Sequence, residues 1–144
     1  MEHHFVVKCN PPKSTHQASL RIITPKDGRK AFVGKYDSGK AKQAKNTMAS
    51  LFQNHRPLFT FQGPVSLTVT YAYPWRKSEP KKNRVKGWKY CDTKPDCDNL
   101  SKQLCDVMTD LNFWNDDSQV AALHFIKIWS DNPRIEVKIK DLPR

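Results

Sequence analysis

The stretch Val65-Ser66-Leu67-Thr68-Val69-Thr70-Tyr71-Ala72-Tyr73 limits the fold of this chain more than any other. Its β-branched and aromatic side chains alternate with polar ones on a two-residue period, so it must be a strand with one buried face. Pro74 then breaks the pattern, and the next clear period is helical. Leu100, Leu104, Val107, Met108 and Leu111 form one apolar stripe over residues 98–111. A strand and a helix that both need covering predict a sheet packed against helices.

The rest of the chain supplies those partners. Residues 5–9 read as a short strand that stops at Asn10-Pro11-Pro12, because prolines cannot donate to a sheet ladder. Residues 18–24 and 31–36 flank the turn signal Asp27-Gly28 and predict a hairpin. From residue 38 to 55, Ala41, Ala44, Met48, Leu51 and Phe52 recur at helical spacing, with Lys40, Lys42, Lys45 and Asn46 on the opposite face. Strands at 119–129 and 135–140, split by Ser130-Asp131-Asn132-Pro133, close the chain. The expected fold class is α/β of the α+β type. It is one domain over residues 1–144, with a mixed sheet of about five to six strands and two main helices.

Charge narrows the partner. Twenty-five Lys+Arg against fourteen Asp+Glu leave the chain at +11, which suits a polyanion, nucleic acid before anionic membrane. No apolar run approaches a membrane span. The excess concentrates in residues 75–94, where Arg76, Lys77, Lys81, Lys82, Arg84, Lys86, Lys89 and Lys94 surround Trp75, Trp88 and Tyr90. With no strand or helix period, this segment reads as a long exposed loop. Its cations are candidates for binding phosphates and its aromatics for stacking on unpaired bases. The bland alternative is a solvated insertion.

Cys9, Cys91, Cys97 and Cys105 include no C-x-x-C pair, and the opening Met1-Glu2-His3-His4 lacks the basic start and apolar run of a signal peptide. Reduced thiols in a cytoplasmic setting are expected. A zinc site from Cys91, Cys97 and a histidine is the less favoured alternative.

Two acidic clusters carry the chemistry. Lys94-Pro95-Asp96-Cys97-Asp98-Asn99 opens the second helix, and Asn115-Asp116-Asp117-Ser118-Gln119 precedes an apolar strand. Taken alone, Asp96 and Asp98 read as helix caps. The second pair weakens that reading, because adjacent aspartates repel each other unless a cation relieves them. Hard oxygen donors of this kind suit Mg²⁺ or Mn²⁺. In phosphodiester hydrolysis such an ion polarises the phosphoryl oxygen, activates a water and stabilises the leaving oxyanion. Lys102, one turn beyond Asp98, stands where it can offset charge on the phosphate or simply pair with Asp98 or Asp106.

The run DCDNLSKQLCDVMTDLNFWNDDSQV resembles the signature of the RusA family of Holliday-junction resolvases, D-x-D-N-x-x-K followed by D-D-x-Q. Asp96, Asp98, Asn99 and Lys102 match the first part, and Asp116, Asp117 and Gln119 match the second. The resemblance implies that Asp96, Asp98 and Asp117 bind the metal and that Lys102 joins them as a catalytic residue, with Asp116 as a helper. It further implies a Mg²⁺-dependent homodimeric endonuclease, with Mn²⁺ as the alternative ion, that cuts four-way DNA junctions symmetrically. Asn112 stands where the family has a glycine and, as a residue that tolerates the left-handed conformation, is expected to stop the helix there, while Ser14, Thr15, His16 and Gln17 replace the family's N-terminal basic residues.

A helix over residues 98–111 is about 20 Å long, so the two clusters fall at opposite ends of it. Two such helices packed antiparallel would bring Asp96 and Asp98 of one subunit to Asp117 of the other. A shared metal site in a homodimer is therefore expected. The competing functions are a nuclease for RNA or single strands, and a DNA-binding module whose aspartates only cap.

Overall fold

The alternating stretch becomes the central strand of the protein. In the computed structural model, which describes residues 1–15, 19–36 and 39–144, Val65, Leu67, Val69, Tyr71 and Tyr73 are all buried. In chain order the elements are strands β1 (Glu2–Val7), β2 (Ser19–Ile23) and β3 (Phe32–Tyr36), helix α1 (Gly39–Gln53), strands β4 (Val65–Pro74) and β5 (Trp88–Tyr90), helix α2 (Cys97–Asp110), and strands β6 (Val120–Ser130) and β7 (Arg134–Asp141). Short 3₁₀ turns cover Lys81–Arg84 and Asp117–Gln119.

The main sheet has five strands in the order β1-β7-β4-β6-β5. All its pairings are antiparallel except β4 with β6. A parallel neighbour demands a crossover, usually helical, and the chain between β4 and β6 contains α2. The acidic clusters lie at the two ends of that crossover helix, just before α2 and just before β6.

Both helices cover one face of the sheet. Met48 and Phe52 of α1 and Leu100, Leu104, Val107 and Met108 of α2 join the β4 side chains in one core, closed by Phe113 and Trp114. Leu111, expected in the same stripe, is only partly buried against this core. The opposite face of the sheet carries Thr68 and Thr70, partly exposed, and His124 and Lys138, exposed. Among the described residues, no helix is long and apolar enough to cross a membrane.

Three expectations need correction. The first strand spans Glu2–Val7 rather than 5–9, because its partner β7 runs on to Asp141 and extends the ladder to Glu2 opposite Lys140. The hairpin forms, yet it is a separate two-stranded sheet. The segment 75–94 is not a featureless loop, since it contains a 3₁₀ turn and the edge strand β5. A strand of three residues is too short to show a period, so only its pairing with Ile128–Ser130 reveals it.

Candidate active site

Asp96 occupies the N-cap of α2 with extended backbone angles (φ −73°, ψ 148°), and its carbonyl accepts from Leu100 N. Its side chain makes no capping hydrogen bond. The carboxylate is thus exposed at the position where the bland reading would have used it up. Asp98 is also exposed, and its carbonyl holds the Ser101 hydroxyl at 2.8 Å. Lys102, one turn on, is exposed and forms no ion pair with Asp98 or Asp106 within 4.0 Å. Lys127, which sequence reasoning missed, braces the approach to this end of the helix. From the middle of β6, its ammonium donates to Thr93 O and, at 2.7 Å, to Pro95 O. A lysine inside an apolar strand gives no sequence signal for that role.

The far end of α2 is closed by backbone geometry. Asn112 adopts a left-handed conformation (φ 62°) as expected, while Asn112 N donates to Thr109 O and Phe113 N to Met108 O. This Schellman arrangement satisfies the last helical carbonyls and turns the chain back. Trp114, fully buried, donates from its indole to Thr109 Oγ1 at 2.8 Å and fixes the turn to the helix.

Gln119 then holds the second acidic cluster. Its Oε1 accepts from Asn115 N (2.7 Å) and Asp116 N (3.1 Å), and its Nε2 donates to Phe61 O and Gly63 O, both at 2.9 Å. Every polar atom of the amide is engaged, which explains why a glutamine ends the D-D-x-Q segment. Asp116 and Asp117 are both exposed but differ in surroundings. The Ser118 hydroxyl donates to Asp116, and this bond chiefly holds the Asp116 carboxyl below its ordinary range. Asp117 belongs to a 3₁₀ turn that contacts α2, and its charge acts on Cys105. Burial first, and then the charges of Asp117 and Asp106, push that thiol up to about 11.

These contacts locate the clusters relative to each other. Cys97 Sγ stands 3.9 Å from Phe125 O, so the start of α2 meets β6 at Phe125. The turn that carries Asp117 contacts α2, and its charge acts on Cys105, eight residues beyond Cys97 along the helix, or about 12 Å of axial rise. Asp96, Asp98 and Lys102 lie at the N-cap and within the first two turns of α2, whereas Asp116 and Asp117 follow its far end. Among the described residues, no three His, Cys, Asp or Glu side chains of one chain converge as metal ligands. The donors have the right hardness for a divalent cation of the Mg²⁺ class, and a single chain offers only two of them at each end.

Between the two ends runs an open sheet edge. β5 pairs only with Ile128–Ser130, and the ladder continues as far as Cys91 N to Lys127 O. From Val120 to Ile126 the outer edge of β6 has no strand beside it among the described residues. Ala121, Ala122, Leu123 and His124 are exposed there. An unpaired, partly apolar edge is a template for another strand.

The basic segment is organised around its only glutamate. Glu79 is buried, pairs with Lys89 and lies 3.9 Å from Arg76. The hydrogen bond from Lys89, then the charges of Lys89, Arg76 and Arg84, hold its carboxyl below the ordinary value against the effect of burial. Arg76 sits over Trp129 (4.9 Å), Arg84 over Trp75 (5.8 Å) and Lys86 over Trp88 (4.6 Å). Arg84 also donates to Arg76 O at 2.7 Å, and Trp75 Nε1 to Asp131 at 2.6 Å. Of the eight cations expected to bind nucleic acid, Arg76, Arg84 and Lys89 are therefore also engaged in shaping the segment. Lys77, Lys81, Lys82, Lys86 and Lys94 are exposed.

An α+β domain with paired exposed aspartates and a structured basic flank has the chemistry that a phosphodiester-directed protein of the nuclease class needs. Residues 11–140 match the family described as endodeoxyribonuclease RusA. The chain is 36% identical over 119 residues to the uncharacterized protein YqaN of Bacillus subtilis strain 168, covering 79% of this chain and 83% of that protein. It is 33% identical over 103 residues to the crossover junction endodeoxyribonuclease rusA of Lactococcus phage r1t, covering 72% of this chain and 69% of the phage protein. The chain belongs to the RusA family of endodeoxyribonucleases. Nucleases of this type are divalent-metal-dependent in general.

Proposed function

We propose that this endonuclease binds four-way DNA junctions and resolves them by paired symmetric nicks. It works as a homodimer, with Mg²⁺ as its ion, Mn²⁺ as a substitute and the cytoplasm as its setting. Asp96, Asp98 and Asp117 hold the metal, which supplies Lewis acidity at the phosphoryl oxygen and a water activated for attack. Lys102 offsets the charge that builds on the phosphate. The exposed lysines of residues 75–94 hold the flanking backbone, with counterion release driving binding.

One observation carries the reading. Asp96 sits at a helix N-cap without capping, and Asp117, the ligand this reading joins to it, lies beyond the other end of an unpaired strand edge. Val120 and Phe125 are five residues apart, about 17 Å along β6. Antiparallel pairing of two β6 edges centred near Ala121 sets residue 117 of one subunit beside residue 125 of the other. Phe125 is where the Asp96–Asp98 end of α2 meets β6. Two equivalent sites result, matching the two scissile phosphates of a near two-fold junction.

Mixed dimers test this arrangement. Asp98→Asn and Asp117→Asn subunits should each be inactive alone. Mixed, they should regain cutting, because one site receives every carboxylate. A mixture no more active than either single variant would refute the shared site. For the activity itself, a four-way junction, a duplex and a single strand are compared with Mg²⁺ and with EDTA. Paired nicks confined to the junction and abolished by EDTA are expected. Undiminished function in EDTA would point instead to a non-catalytic DNA-binding module.

A further inference from the structure

The sheet face turned away from the helices has a chemistry of its own at the β5 end. In the β5–β6 register, Lys89 pairs with Trp129, a core residue, so this pair faces the helices. Trp88 and Tyr90, opposite Ser130 and Ile128, must therefore point to the other side. There they line a recess of about 480 Å³ with Ile126 and Ile128 of β6, Thr70 of β4 and Arg134 of β7. The Trp88 and Tyr90 rings meet edge to face, centroids 5.1 Å apart and planes at 89°. Tyr90 is 68% exposed, and its hydroxyl has no hydrogen-bond partner among the described residues.

An exposed aromatic pair over an aliphatic floor is a surface that water solvates poorly, and such patches mark binding sites. Its rim selects the occupant. Lys86 stands 4.6 Å from the Trp88 ring centre, whereas Arg134, on the other side, pairs with Glu136 at 2.9 Å, and Asp131 completes a rim of both signs. A second copy of this chain, itself at +11, is repelled as a whole, and an apolar peptide leaves the polar rim unpaired. A nucleobase offers its faces to the rings and its donors and acceptors to the mixed rim, and leaves its phosphates to Lys86 and Lys82, which line the neighbouring basic recess. A paired, stacked base cannot present its face, so the nucleotide must be unstacked. Tyr90 also borders a smaller recess shared with Cys97 and Phe125, and Cys97 lies between Asp96 and Asp98. Tyr90 thus borders both the aromatic recess and the approach to the start of α2, where those carboxylates lie.

We propose that the Trp88–Tyr90 recess on the helix-free sheet face receives one base unstacked at the branch point of the DNA, next to the phosphate to be cut. The proposal rests on the nuclease reading above and adds a base-stacking contact to it.

The test is metal-free binding by the full-length protein. Base–aromatic stacking of the usual strength predicts that Tyr90→Ala weakens binding of short oligothymidylate by roughly 5- to 150-fold. Tyr90→Phe should match the wild type, and duplex affinity should hold within about twofold. Four-way junctions carrying iododeoxyuridine at the crossover should photo-crosslink the unaltered protein within the peptide that contains Trp88 and Tyr90. Unchanged oligothymidylate binding by Tyr90→Ala, equal losses for duplex and single strand, failure of Tyr90→Phe alongside Tyr90→Ala, or crosslinks only elsewhere would each overturn it. Cutting is scored separately with Mg²⁺. A protein that stacks bases yet cuts no junction sinks the resolvase reading alone, and one that cuts junctions while Tyr90→Ala binds normally sinks this proposal alone.

Discussion

Replacing Gln119 by Leu removes the four hydrogen bonds of its amide, two within the Asp116–Asp117 turn and two to the chain at Phe61 and Gly63. Each such bond contributes about 0.5–1.5 kcal/mol net. Asn115 and Asp116 are exposed, so water takes over their N–H groups, whereas Phe61 is only 3% exposed and its carbonyl loses its side-chain donor. The weight falls on the two bonds to Phe61 and Gly63, and the expected loss is about 2 kcal/mol. For a chain of this size that lowers Tm by roughly 4–8 °C. Urea unfolding followed by tryptophan fluorescence measures it. Because the turn also positions Asp117, junction nicking should fall at least about tenfold while junction binding stays, since small misplacements of catalytic groups are severe. Gln119→Glu separates hydrogen bonding from bulk. A carboxylate cannot donate to the Phe61 and Gly63 carbonyls, and it adds charge beside Asp116 and Asp117, so it should be worse than Leu. A stability loss under about 0.5 kcal/mol for the Leu variant, or a Glu variant equal to the wild type, would refute the reasoning.

Asn112→Gly should keep or slightly raise stability, whereas Asn112→Ala should lower it by about 1 kcal/mol, because φ of 62° is unstrained only without a Cβ or with Asn; thermal unfolding checks the order. Cys105 should be among the last thiols alkylated in the native protein at pH 8, and Asp117→Asn should speed its alkylation, since removing that charge lowers the thiol pKa and increases the thiolate fraction. An unchanged rate would mean that Asp117 does not face Cys105. Glu79 titrates below its ordinary 4.5 in the folded protein, so its contribution is complete above that value and is lost as pH falls through the lower, folded one. Acidification below pH 4.5 should therefore loosen residues 75–94, read by proteolysis there. Glu79→Gln should show that looseness already at neutral pH.

Much of the fold was written in local pattern. The period of two at 65–73 and the stripe at Leu100, Leu104, Val107 and Met108 specify a strand and a helix whatever surrounds them, because each must hide one face. Asn112 as the helix stop was equally legible, since few residues other than glycine tolerate the left-handed turn. The candidate metal ligands could be named for the same reason, as carboxylates at fixed spacing announce their chemistry. Their neighbours could not. Lys127 and Glu79 look like any lysine in a strand and any glutamate in a loop until the chain folds and delivers carbonyls to one and cations to the other. Trp88 and Tyr90 looked like aromatics in a loop, and only pairing with β6 turned both rings to one face. Sequence alone thus determined most of the elements, the basic charge and the acidic residues proposed as metal ligands, because those depend on short-range periodicity and side-chain type. Tertiary structure decided what no local period encodes. It put β4 and β6 in parallel, left Asp96 at a cap it does not make, and set the Asp116–Asp117 turn beyond the other end of α2, so that among the described residues no one chain gathers three such donors.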